Sequence, residues 1–320
     1  MSLLFIGYDF EKMNWKPIKQ MFRNEGEEIN DKDDIRIIDK GIFAIADSAI
    51  TTSGGTKTLL TGFRKVYDMK AILYKPDFAP DGSFRNYSYV YDELPFIVGF
   101  AGSTLVAQHI INTISGHLEK LEISCQERNG YEPIKYIINL PCENNLLKKT
   151  PIYTQWDDDT FLDSDFKDLL SGDYISNAIE HSINHALVSA KKHRLDENEF
   201  NQMYTDIFCG LYCPVLKEHQ IYIYRMQSKF EEGILEVYTE KEKLNKNEIA
   251  VLGMTKRFEK KAKTTFLEEV QKDTPNVVNT LIDLMCKCIE EVHEYGSFEI
   301  NKPIVYKSLD RGRIKKVNIN

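Results

Sequence analysis

The segment G-I-F-A-I-A-D, Gly41 to Asp47, constrains the fold more than any other part of the chain. Five apolar side chains stand in succession, Ile42 to Ala46, and an aspartate ends the run. A short continuous run of this kind leaves no polar face, so it suits a strand buried on both sides. Two further segments share the design. G-F-R-K-V, Gly62 to Val66, leads into a second strand and carries Lys65, 18 residues after Asp47. I-V-G-F-A-G-S, Ile97 to Ser103, ends a third apolar strand in a glycine turn.

Strands and helices fall in blocks around these segments. A strand is expected at 3–8, and strands follow at 36–47, near 63–74 and at 96–101. From Ser103 to about Ile123 the period turns helical, with Leu105, Ile110, Ile114, Leu118 and Leu121 at mostly three- and four-residue spacing. A second helix is read over 173–194 from Ile175, Ile179, Ile183 and Leu187. Strands near 205–212, 219–226 and 248–254 precede helices at 257–272 and 275–294. Two final strands flank Asp310-Arg311-Gly312, which has the composition of a tight turn. The polar text at about 10–35 and the irregular text at 124–165, which holds Asp157, Asp158 and Asp159, read as insertions. Strands in blocks and helices in pairs, without strand–helix alternation, predict an α+β layered fold in one domain over 1–320.

Composition removes several function classes. A net charge of −8 without a concentrated basic face predicts no nucleic-acid binding. The cluster Arg311, Arg313, Lys315 and Lys316 is broken by Gly312 and Ile314 and reads as a solvated strand face. No apolar run is long enough for a membrane helix, and the N-terminus lacks a signal peptide's basic region. The six cysteines fit neither CxxC pairs nor zinc-finger spacing, so reduced thiols and a cytoplasmic location are expected.

In their order, the three motifs resemble the proteasome β-subunit family of N-terminal-nucleophile (Ntn) hydrolases. The run D-S-A-I-T followed after eleven residues by F-R-K-V is similar to the bacterial Anbu-type branch, and family order extends over nearly the whole chain. The resemblance implies a four-layer α-β-β-α sandwich and homo-oligomeric assembly, with peptide or other amide bonds as substrate and no cofactor or metal. It implies Ser2 as the nucleophile, exposed by removal of Met1, with Asp47 as orienter, Lys65 as pKa modulator and Gly102 as oxyanion donor. The chemistry is coherent: a hydroxyl needs a base, and a free α-amine titrating near about 8 can serve. A neighbouring ammonium lowers both pKa values, and a glycine-turn N–H can meet an oxyanion. The resemblance also implies a substrate pocket of Ile50, Phe63, Tyr67 and Phe100, either selecting small apolar side chains or filled by its own. Methionine stands at Met254 where the family has a serine, and the later buttress positions offer only Glu294 and Ser297. These departures point to the alternative, a catalytically inactive proteasome-like scaffold or binding subunit.

Three other groupings read as structural. His181 and His185 have helical metal-ligand spacing, but no H-E-x-x-H pattern and no evident third ligand, so packing or surface histidines are expected. Ser53 to Lys57 lacks the spacing of a phosphate loop. Cys209 and Cys213 read as buried thiols on one strand face, whereas Cys286 and Cys288 point to different faces of a helix.

Overall fold

Two compact units build the chain, and each is a sheet carrying a helix pair. The structure, a computed structural model, describes residues 2–14, 35–51, 57–126, 134–142, 152–153, 166 and 168–319. The first unit comprises 1–63, 244–310 and 315–320; the second comprises 64–243 and 311–314.

In the first unit β1 (Leu3–Asn14) and β2 (Ile35–Ala46) form a long antiparallel pair, from Leu4 opposite Ala46 to Asn14 opposite Ile35. Opposite Asp9 and Phe10 the register passes over Lys40, and Gly41 takes a φ of +116° there. The expected insertion at 10–35 is thus narrower at both ends, and 15–34 lies outside the described residues. β13 (Ile249–Gly253) flanks β1, and β14 (Ile304–Asp310) flanks β2, followed by β15 (Arg313–Ile319). Ile42 to Ala46 are all fully buried, as the apolar run predicts. Helices α4 (Thr255–Gln271) and α5 (Val277–Glu294) pack on this sheet. Leu3, Phe5, Phe43, Ile45 and Val251 form one core with Phe258, Phe266, Leu281, Met285 and Ile289. Each such side chain contributes about 1.5–3 kcal/mol of burial, enough to dock two charged-faced helices. A small hairpin, β3 (Ile50–Thr51) with β4 (Thr58–Leu60), completes the unit.

The second unit holds a sheet ordered β12-β11-β10-β6-β5-β7-β8, with β9 paired to β7. Its strands are β5 (Val66–Phe78), β6 (Phe84–Gly102), β7 (Leu121–Gln126), β8 (Tyr136–Asn139), β9 (Ile152–Tyr153), β10 (Thr205–Cys213), β11 (Glu218–Glu231) and β12 (Ile234–Lys243). α1 (Thr104–Leu118) and α2 (Gly172–His193) pack against each other and onto the sheet, and a short α3 (Glu197–Met203) leads into β10.

Two expectations change here. The helix expected to reach Ile123 ends at Leu118, because Leu121, Ile123 and Cys125 are a period-two set in β7 and Leu121 fits either period. The stretch 124–165 is also less irregular than expected: β8 and β9 pair with β7. Asp157 to Asp159 and residues 52–56 lie outside the described residues. Among the described residues no helix is long and apolar enough to cross a membrane.

Candidate functional site

Asp47 sits where a strand ends, and its carboxylate is fully buried. Oδ1 accepts the N–H of Leu3 at 2.8 Å and Oδ2 accepts the N–H of Ala49 at 2.9 Å. Its own N–H donates to the Leu3 carbonyl at 3.2 Å. One residue thus closes the start of β1 from two sides and shapes the turn after β2. Ser2, 3% exposed, is held further by its carbonyl, which accepts the Met254 N–H at 3.0 Å. Ser48 extends the frame: its Oγ accepts from Gly62 N–H and its carbonyl from Phe63 N–H. Buried donors left unpaired here would cost about 1–3 kcal/mol each, so this lattice fixes the residues next to Ser2.

Lys65 and Gly102 belong to the second unit. Lys65 is 2% exposed, and its carbonyl accepts the Phe100 N–H at 3.1 Å just before β5 begins. Gly102 ends β6 with φ +135° and lies opposite Thr205. A Cβ there would meet the Tyr204 carbonyl oxygen at 2.1 Å, so both conformation and close approach demand glycine. Tyr204 O in turn accepts the Ser103 N–H at the mouth of α1.

The four pocket candidates divide between the units. In the first, Ile50 opposes Leu60 in the small hairpin and Phe63 follows it; both are half-buried. In the second, Phe100 is buried in β6 opposite Ile207. Tyr67 is half-buried under the Arg64 guanidinium, 4.7 Å from its ring centroid, and its hydroxyl donates to Gln108 Oε1 at 3.2 Å. Burial raises the Tyr67 pKa and Arg64 opposes that.

Met254 is the N-cap residue of α4 and also a member of the helix–sheet core, which explains an apolar side chain at this turn. Glu294 is exposed. Ser297 donates its N–H to the Val292 carbonyl, and its Oγ is buried with no partner among the described residues.

A cluster that sequence reasoning did not assemble lies in the second unit. His117, in the last turn of α1, has its ring centroid 5.5 Å from that of His181 and 5.4 Å from that of His185, both on α2. Cys142, beyond β8, joins them: one ligand atom each of His117, His181 and Cys142 lie within 4.8 Å of one another. Both ring nitrogens of His181 are buried and have no hydrogen-bond partner among the described residues. Burial, and then the neighbouring imidazoles His181 and His185, push the His117 pKa down to about 4. Burial and then His185 lower that of His181. His117 and His181 thus both gain by staying uncharged here. The i, i+4 pair was legible, but 117, 142 and 181 share no motif spacing, so only packing reveals the set.

No family model matches this chain, and no curated protein does. Among solved structures it is similar to Anbu (ancestral beta-subunit) from Yersinia bercovieri, at 8% sequence identity and a TM-score of 0.42. That similarity covers 99% of this chain and 87% of the other.

Proposed function

We propose that this chain is an Ntn-type hydrolase of peptide or other amide bonds, with Ser2 as the nucleophile released by cleavage of the Met1–Ser2 bond. The observation that carries the reading is the hydrogen bond from Leu3 N–H to Asp47 Oδ1 at 2.8 Å. A nucleophile that is also its own base needs its backbone fixed, because the α-amine and the hydroxyl must keep one geometry through the reaction. The Asp47 carboxylate and the Met254 N–H supply that fixation at the N–H and the C=O of the Ser2–Leu3 peptide group.

In this reading the α-amine takes the Ser2 proton as Oγ attacks the amide carbonyl, and returns it to the departing amine. Water then releases the acyl group from Oγ. Lys65 lowers the pKa of the hydroxyl and amine, Gly102 N–H receives the oxyanion, and Ile50, Phe63, Tyr67 and Phe100 shape the acyl pocket. The roles of these six residues rest on the order of the sequence motifs. The reading takes 1–320 as one domain, a four-layer α-β-β-α sandwich of the bacterial Anbu-type branch, assembling as a cytoplasmic homo-oligomer. The burial of Ser2 and the core position of Met254 favour one other reading, a proteasome-like scaffold without peptidase activity.

The test is the intact mass of untagged protein, followed by labelling with an amide-directed electrophile. The hydrolase reading expects loss of one methionine and a single adduct that Ser2→Ala abolishes. A retained Met1, or an adduct indifferent to Ser2→Ala, leaves the scaffold reading.

A further inference from the structure

The geometry points to a Zn²⁺ site in the second unit, held by His117, His181 and Cys142, with the His185 ring next to both histidines. It is independent of the hydrolase reading. Borderline-soft zinc takes imidazole nitrogen and thiolate sulfur together, at about 2.0–2.3 Å and in tetrahedral array. Three such donors converge within 4.8 Å here, so contraction of roughly 1 Å brings them to ligand spacing.

The surroundings are already arranged for it. Ser182 Oγ gives its one proton to the Ala178 carbonyl at 2.7 Å, so toward His117 Nδ1, at 2.8 Å, it can only accept. His117 therefore carries its proton on Nδ1 and keeps the Nε2 lone pair open, the outer-shell arrangement common for ligating histidines. His181, 5% exposed, has no partner for either nitrogen among the described residues. A bound ion would satisfy one of these nitrogens. The cluster also lies at the C-terminal end of α1, where unpaired carbonyls favour a cation. Glu180, the adjacent carboxylate on α2, is engaged elsewhere, with Lys241 at 2.9 Å. A bound ion would join α1, α2 and the stretch ending at Cys142, three elements far apart in sequence.

The experiment uses the untagged 320-residue chain, stripped with a chelator and titrated with Zn²⁺ by calorimetry and with Co²⁺ by visible absorption. One equivalent of either metal is expected, and the Co²⁺ form should show tetrahedral bands with a thiolate charge-transfer band. His181→Ala should abolish stoichiometric binding, and Ser182→Ala should weaken it about tenfold through the lost His117 bond. Cys142→Ser should remove the charge-transfer band, and His193→Ala, at the exposed end of α2, should change nothing. Should His181→Ala fail to fold, the Cys142→Ser spectrum decides alone. Absence of stoichiometric binding, binding untouched by His181→Ala, or a charge-transfer band that survives Cys142→Ser would each overturn the proposal.

Discussion

Leu3 donates its backbone N–H to the buried carboxylate of Asp47, 44 residues away, while Asp47 returns its own N–H to the Leu3 carbonyl. Two strand ends are thereby tied by one side chain, and the same carboxylate also takes Ala49 N–H. Asp47→Ala strands two buried donors at once. Each costs about 1–3 kcal/mol, so a loss of about 3 kcal/mol is expected in urea unfolding. Asp47→Asn keeps one acceptor and turns an amide N–H toward the other donor, so it should recover only part. An Asp47→Ala protein as stable as the parent would show that these bonds do not hold the strand end.

Gly102 carries a second prediction. With φ +135° and the Tyr204 carbonyl 2.1 Å from any Cβ, Gly102→Ala must move backbone rather than a side-chain tip. A loss of roughly 3 kcal/mol or more is expected from strain and displacement together. The readout is the denaturant midpoint, with Gly116→Ala, where a Cβ meets open space, as the comparison. In a helix interior that control should be neutral or mildly stabilising. This local demand for glycine exists whether or not the Gly102 N–H meets an oxyanion, so a lost activity in Gly102→Ala needs the stability measurement beside it.

The sequence carried most of the first unit, and for a physical reason. Ile42 to Ala46 and the i, i+4 stripes of α4 and α5 are driven by burial, which writes itself as periodicity. Elements whose strand character depends on a neighbour escaped. β12 reads I-L-E-V-Y-T-E-K-E-K, mostly charged toward its end and half-exposed, and is a strand because β11 pairs with it from Tyr222–Lys243 to Glu231–Ile234. The extension of β1 to Asn14 was likewise hidden, since Glu11 and Lys12 look like loop until Ile38 and Ile37 stand opposite. The same holds for side-chain clusters: Asp47 was legible from its strand end, whereas His117 and Cys142 meet His181 only through tertiary packing.

The turn between β14 and β15 offers a stabilising change. Arg311 and Gly312 both have positive φ, at 45° and 82°, the pattern of a type I′ hairpin turn. Glycine suits the second position, but arginine at the first holds a left-handed conformation that asparagine adopts more readily. Arg311→Asn should therefore raise stability by about 0.5 kcal/mol. The Arg311 N–H that donates to His219 Nε2 at 3.1 Å is backbone and survives the change. A lower melting temperature would mean that the exposed Arg311 side chain contributes more than its backbone strain costs.

Glu269 gives the pH prediction. Its carboxylate, 4% exposed, accepts from Lys272 Nζ at 2.6 Å and from Asn276 N–H at 2.8 Å, joining the end of α4 to the start of α5. The Lys272 hydrogen bond first, and the Asn276 N–H next, lower its pKa from the ordinary 4.5. A carboxyl whose folded pKa lies below its unfolded value binds fewer protons in the folded state across that window. Its contribution is therefore whole above pH 4.5 and fades as pH falls through the lower folded value. Glu269→Gln should cost about 1 kcal/mol at neutral pH, keep that cost down to about pH 5, and lose it on further acidification. Urea unfolding of both proteins across this range measures the difference. A gap that stays constant or widens in acid would show that charge at Glu269 does not hold the junction of α4 and α5.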